Sequence, residues 1–297
     1  MIITAPALEA LKTGFATSYN KGFTSVPPLW PQLAMKITSH HSKEAYGWME
    51  QIPSLREWVG PRVVNGLKAS GYIIENRDFE QTISVPRNSI QDDQAGLFSP
   101  LFEEMGRAAS EVPDKLITEL MLAGFTTDCY DGQTFFDTDH PVVGPDNTTV
   151  SVSNFGGGSG EPWFLLDTTR AIRPFVYQER TPFNRLDSLD KPNDPNVFFN
   201  KEFIYGTDGR GNAGFGLWQL AYGSKGTLDA TSYAAARAAM LKMVGDQGRK
   251  LGIRPTTLVV GPSNESAARK LLKTNNRTGG ESNEWQDSAE LIVSAWI

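Results

Sequence analysis

The sequence predicts an α+β fold, with helices and strands gathered in separate stretches rather than strictly alternating. Three observations carry this. Between residues 92 and 124, Leu97, Leu101, Met105, Ala108, Val112, Leu116 and Leu120 recur three or four apart, laying one apolar stripe along a single long helix. Phe79, Ile83 and Val85 alternate with Glu80, Thr82 and Ser84, and short β-type runs follow at 163–166, 175–178, 197–199, 203–205 and 216–222. Residues 232–272 then read helix, strand, helix, a small α/β layer.

Composition sets the outer bounds. The chain has 297 residues, 39% hydrophobic and 10% aromatic, which is globular and carries no collagen or coiled-coil bias. That length suits one elaborate domain or two simpler ones. Lys and Arg number 28 against 34 Asp and Glu, a net charge of −6, which argues against a surface built to grip phosphates. The lone Cys129 cannot form a disulfide within the chain and excludes cysteine-based zinc or iron–sulfur clusters. The first residues, Met1-Ile2-Ile3-Thr4-Ala5-Pro6, lack the charged start and apolar run of a signal peptide. No stretch approaches the roughly 18 consecutive apolar residues of a membrane span. A soluble product made in a reducing cytoplasm is expected.

Taken in order, residues 1–35 look like an arm rather than a core element. Val26-Pro27-Pro28-Leu29-Trp30-Pro31 is a stiff extended piece, because proline fixes φ and forbids helix. Trp30 needs a surface to bury against, either on its own subunit or on a neighbour. Residues 43–70 read as helical, with Tyr46, Met49, Ile52, Leu55 and Trp58 near helical spacing and Pro53 and Pro61 as interruptions. After Gly71, residues 72–75, the polar turn Asn76-Arg77-Asp78 and residues 79–85 form a candidate hairpin. The long helix should be kinked or split at Pro113 and stopped by Gly124, and a run of that length would span roughly 40 Å. Residues 125–160 are loop-like, with Gly156-Gly157-Gly158-Ser159-Gly160 as a flexible connector, and residues 187–195 form a surface loop. A helix is expected over 232–251, capped by Asp229 or Thr231, buried through Tyr233, Met240, Val244 and Leu251, and stopped by Gly252. A buried strand at 257–260 leads to a helix at 264–272 capped by Ser263, and residues 290–297 form a last strand tucked into a sheet.

Candidate chemistry is sparse. Thr127-Asp128-Cys129-Tyr130-Asp131-Gly132 and Asp137-Thr138-Asp139-His140 gather a thiol, an imidazole and carboxylates, which raises a Cys–His nucleophile or a metal site. One His and one Cys eleven residues apart fall short of zinc spacing, and Asp residues here suit turn capping better. His40-His41 has no acidic or thiol partner at ligand spacing. The glycine run is followed by no Lys-Ser or Lys-Thr pair. With three histidines and neither Gly-x-Ser-x-Gly nor His-Glu-x-x-His, the sequence offers no catalytic, cofactor-binding or metal residue to nominate.

Several stretches together are distinctive. They are Ala45-Tyr46-Gly47-Trp48 with Leu55-Arg56-Glu57-Trp58; Asn76-Arg77-Asp78-Phe79-Glu80; Ile90-Gln91-Asp92-Asp93-Gln94; Ala123-Gly124-Phe125 with Tyr130-Asp131-Gly132-Gln133 and Phe135-Phe136-Asp137-Thr138-Asp139-His140-Pro141; Gly214-Phe215-Gly216-Leu217-Trp218-Gln219; and Leu258-Val259-Val260-Gly261-Pro262. In this order, over nearly the whole chain, the sequence resembles the major head (capsid) subunit of Mu-like transposable phages and prophages.

The resemblance implies the Hong Kong 97 phage-type capsid fold. It implies an N-terminal arm (1–43), an extended-loop region (44–80), a spine helix near 94–124 with peripheral-domain strands (81–224), an axial α/β domain (225–280) and a C-terminal peripheral strand (281–297). The implied function is self-assembly into hexamers and pentamers of an icosahedral head enclosing double-stranded DNA without sequence-specific binding. No enzyme activity and no cofactor are implied. Implied partners are other copies of the chain, a scaffold and maturation protease, a portal and decoration proteins, with assembly in the host bacterial cytoplasm and residence in the virion. Trp30, Glu75, Arg77, Asp78 and Glu80 are the expected intersubunit contacts, the last four as ion pairs. The shell is expected to be non-covalent. Two other classes remain open on sequence alone: a tail-tube or decoration subunit, and a hydrolase using Cys129 and His140.

Overall fold

A computed structural model describes residues 4–46, 72–92, 95–144, 146, 148–276 and 279–297. Thr4 caps the first helix, its hydroxyl accepting from the Ala7 amide at 3.3 Å, and Pro6 sits in the first turn where no amide is needed. Helix α1, Ala5–Phe23, buries Leu8, Phe15, Tyr19 and Gly22. The segment expected to be an arm is therefore a core element. Its Leu, Phe and Tyr lie seven and four apart, enough for one face although small polar residues fill the rest. The Val26–Pro31 piece already turns helical at Leu29, and α2, Trp30–Leu33, begins with Pro31 in its first turn.

Strand β1, Ala34–Thr38, follows directly. The helix expected from residue 43 is absent at its start: β2, Lys43–Ala45, pairs antiparallel with β3, Ile73–Glu75. Met49, Ile52, Leu55 and Trp58 lie outside the described residues. The expected hairpin across 76–78 does not form either. Asn76 is buried, its Nδ2 donating to Ser39 Oγ and the His41 carbonyl at 2.9 Å each, so the chain swings away instead of turning back. Strand β4, Arg77–Pro86, keeps the expected alternation but pairs elsewhere.

After α3, Arg87–Gln91, comes the longest helix, α4, Ser99–Ala123, with 25 residues. It runs unbroken through Pro113, and Gly124 caps it, donating to the carbonyls of Leu120 and Met121. The buried face is Phe102, Met105, Ala109, Pro113, Leu116, Ile117 and Met121; Leu97 and Leu101, counted in the predicted stripe, are 74% and 47% exposed. Packing explains the continuity: the N-terminal half enters a cluster with Leu8, Phe15, Tyr19, Val85 and Phe203, and the C-terminal half enters the main core with Phe135, Phe164 and Phe175. A helix held at both ends by buried contacts tolerates one missing hydrogen bond. It is crossed by α1 where Gly22 meets the Glu103 carbonyl and Gly106 meets the Tyr19 carbonyl, positions at which any Cβ would overlap backbone.

The expected loop at 125–160 contains three strands: β5, His140–Val143, paired with β6, Thr149–Val152, and β7, Phe155–Gly158. The glycine run is thus an edge strand, and Gly158 adopts φ 91° against the backbone of Lys225 and Gly226, a conformation and a space that only glycine fits. Strands β8, Trp163–Leu166, β9, Phe175–Thr181, and β10, Asp187–Leu189, follow. Residues 197–199, expected as strand, belong to helix α5, Pro195–Asn200, started by the Asp194-Pro195 pair and ended by Lys201 in the left-handed region. Strand β11, Glu202–Phe215, and β12, Ala221–Lys225, lead to α6, Ala230–Leu241. Asp229 and Ser232 make a reciprocal capping box. Helix α6 ends ten residues before the expected stop, because Gln247 (φ 62°) and Gly248 (φ 68°) turn the chain between β13, Val244–Gly245, and β14, Arg249–Lys250. The remaining elements are β15, Thr257–Val260, α7, Pro262–Lys273, capped by Gly261 and not by Ser263, and β16, Glu290–Val293, which stops short of the apolar C-terminus.

Two five-stranded sheets result. One has the order β1-β9-β11-β10 with β4 also on β11; the other runs β16-β15-β8-β12-β7. The last strand, expected as a C-terminal peripheral strand, pairs parallel with β15 in the second sheet, beside α7. Helix α4 joins the two clusters that these sheets build.

Candidate assembly surface

Strands β4 and β11 pair over ten residues, from Glu202–Pro86 to Gly211–Arg77. Alternation divides the ribbon. Phe79, Ile83 and Val85 oppose Gly209, Tyr205 and Phe203 on the inward face, and Asp78, Glu80, Thr82 and Ser84 oppose Arg210, Asp208, Gly206 and Ile204 on the outward one. The four charged residues expected at subunit contacts lie on or beside this ribbon, but three are engaged within the chain. Glu75 pairs with Lys43 at 3.2 Å, Asp78 with Arg210 at 2.9 Å, and Arg77 reaches Glu119 at 3.9 Å while its guanidinium lies 5.1 Å from the centre of the Phe79 ring. Glu80 differs. It accepts from the Thr82 hydroxyl at 2.9 Å and stands directly opposite exposed Asp208, a like-charge cross-strand pair that is unfavourable in an isolated subunit.

Trp30 is seated on its own subunit. Its ring lies 4.9 Å from that of Tyr177, and the Leu29 and Trp30 amides donate to the two carboxylate oxygens of Asp114, at 3.0 and 2.7 Å. Burial pushes the Asp114 carboxyl above its ordinary value, against the pull of these two amides.

The thiol, imidazole and carboxylates read from sequence do come together, with one ligand atom each of Cys129, Asp131 and His140 within 4.8 Å of one another. They form a closed hydrogen-bonded knot. Asp131 Oδ1 accepts from Cys129 Sγ and the Gln133 amide at 3.1 Å each, and its Oδ2 lies 2.7 Å from His140 Nδ1. His140 Nε2 faces Asn154 Oδ1 at 3.3 Å, and the ring stacks on Trp218 with centroids 3.9 Å apart. The imidazole thus addresses the carboxylate and not the thiol. Burial, then the Asp131 charge, pushes the Cys129 thiol far above its ordinary value, which keeps it protonated and unreactive. Asp137 serves the local turn as expected, accepting from the Thr134 hydroxyl and the Thr138 amide at 2.6 Å each.

The sequence reading missed one surface. Phe198 and Phe199 on α5 are 74% and 78% exposed, although aromatics favour strands and the sequence predicts one here. The Asp-Pro pair before them was the helix-start signal available.

Residues 8–297 match the family of the Mu-like prophage major head subunit gpT. The chain belongs to that family. It is 37% identical over 306 residues to the major capsid protein of Escherichia phage Mu, covering 100% of both chains. It is similar to a subunit of the procapsid of bacteriophage JBD30, with 39% identity, a TM-score of 0.87 and coverage of 99% of this chain and 100% of that one. It is also similar to a subunit of the JBD30 capsid decorated with minor capsid protein trimers, with 31% identity, a TM-score of 0.75 and 91% coverage of each. This head subunit has the Hong Kong 97-type capsid fold; it is a structural component of the virion, not an enzyme, and neither a tail-tube nor a decoration protein. Among the described residues, no helix is long and apolar enough to cross a membrane.

Proposed function

We propose that copies of this head subunit close into hexamers and pentamers of an icosahedral shell around double-stranded DNA, held by non-covalent contacts. The observation that supports this most is the match of the entire fold to a subunit of a phage procapsid. Rings of five and six need a head-to-tail interface, in which one surface meets a different surface of the next copy. The β4–β11 ribbon supplies one such surface. Glu80 and Asp208 leave a local excess of negative charge on its outward face, and a Lys or Arg from the neighbouring copy would relieve it. Glu75, Arg77 and Asp78 keep their partners within the chain and position the ribbon. Trp30 contributes by anchoring the N-terminal segment to Tyr177 and Asp114, and reaches a neighbour only through its half-exposed edge.

A scaffold and maturation protease, a portal and minor capsid proteins complete the head, assembled in the host cytoplasm. The net charge of −6 suits an inner wall to which DNA phosphates should not adhere. Gradient sedimentation of the protein produced with the head-assembly genes of its phage tests the reading. Material many times heavier than one chain is expected. A lone charge reversal, Glu80→Lys, should lower particle yield while leaving the melting temperature of the free subunit unchanged or raised. Unchanged particle yield would remove Glu80 from the interface.

A further inference from the structure

We infer that the Phe198–Phe199 pair on α5, with exposed Leu189 on the strand that Asn196 ties to this helix, is a contact surface covered by a second copy of this chain in the assembled head. The inference rests on the head-subunit reading above. The three side chains are 74%, 78% and 53% exposed, and the two rings meet edge to face with centroids 5.1 Å apart.

What sets the pair apart from a stray surface aromatic is its pedestal. Val197, next to it, is buried in the cluster of Phe102, Phe203 and Tyr205. Asn196 donates from Nδ2 to the carbonyls of Leu189 and Glu202, at 2.9 and 2.8 Å, which ties the helix to the strands before and after it. At its far end the Lys201 carbonyl accepts from the Arg87 amide at 2.8 Å, pinning the turn to the end of β4. The rings are thus held outward on a fixed base, so little rotational freedom is lost when they are covered.

Size and surroundings select the occupant. Two phenylalanine rings and a leucine present on the order of 300–400 Å² of apolar surface. That is about the largest patch a free monomer usually carries, and close to half of one partner's share of a standard interface. The chain flanking the pair carries both signs, Lys191 and Lys201 with Asp187 and Asp194, so it does not select nucleic acid or a strongly charged partner. Every subunit of a head presents this patch, and another copy of the chain is the occupant whose number equals that of the patches.

Photo-cross-linking in assembled particles tests this, with p-benzoylphenylalanine in place of Phe199. The expected product is a band at twice the chain mass whose cross-linked peptides both come from this chain. Cross-links exclusively to a different virion protein, or particles in which position 199 captures nothing, would overturn the inference while leaving the head-subunit reading intact. Failure of the unsubstituted chain to form particles would instead sink both. In parallel, the double variant F198S/F199S should retain the circular dichroism and melting of the free subunit and lose at least tenfold in particle yield; wild-type yield would contradict the proposed contact.

Discussion

Asp114 shows how a single side chain organises its surroundings. It lies within α4, and its two oxygens take up the amides of Leu29 and Trp30, which would otherwise be half-buried donors without partners. Asp114→Ala strips both at once, and the expected cost is about 1–3 kcal/mol. Thermal melting measures it; a loss no larger than that of exposed Glu9→Ala would contradict the role assigned here. Asp131 is the second case. Burial opposes its charge, but the His140 ring, the Cys129 thiol and the Gln133 amide outweigh burial and hold the carboxyl below its usual range. A carboxyl depressed in the folded state contributes stability above its unfolded value, near 3.9, and that contribution fades as pH falls through the folded value. The wild-type melting temperature should therefore drop more steeply below about pH 4 than that of Asp131→Asn. Parallel curves would count against this knot as an acid-sensitive element.

At the scale of elements, the crossing of α1 and α4 depends on two glycines. A valine at Gly106 would overlap the Tyr19 carbonyl, so Gly106→Val should release α1 from its bed while the rest of the fold persists. Limited proteolysis is expected to cut within the first 23 residues of the variant and to spare the wild type; equal protection would refute the close crossing. This same contact explains why α1 was not legible from sequence. Its face is made of few large residues set among Thr, Ser, Lys and Asn, and a bed of glycines sends no apolar signal. Helix α4 was legible because its apolar residues repeat over seven turns, although the stripe chosen lay one position off the true face at Leu101. Local alternation likewise revealed β4, and a short apolar run revealed β8, but neither shows that β4 joins β11 some 120 residues onward, since pairing partners distant in sequence leave no periodic trace. Of the surface residues nominated, charge alone drew attention to Glu75, Arg77, Asp78 and Glu80; only the register reveals that Asp78 is neutralised by Arg210 while Glu80 confronts Asp208.

At the scale of the whole molecule, the described residues tie two five-stranded sheets and their cores together through one continuous helix, with an outward-facing charged ribbon and a fixed aromatic pair on the surface. The assembly proposed above has such a body bond its neighbours through several modest surfaces, a design that would tolerate the slightly different angles of five- and six-membered rings. With one buried cysteine, no disulfide ties one part of the chain to another. Boiled particles on a denaturing gel should therefore run as one band at 32.7 kDa, and a ladder above it would show covalent cross-linking between copies. The central claim is that this chain acts by bonding to itself in a closed shell. Electron microscopy of the protein produced together with the head-assembly proteins of its phage tests that most directly: the account predicts round shells tiled by five- and six-fold rings, and a protein that remains monomeric in every such preparation would contradict it.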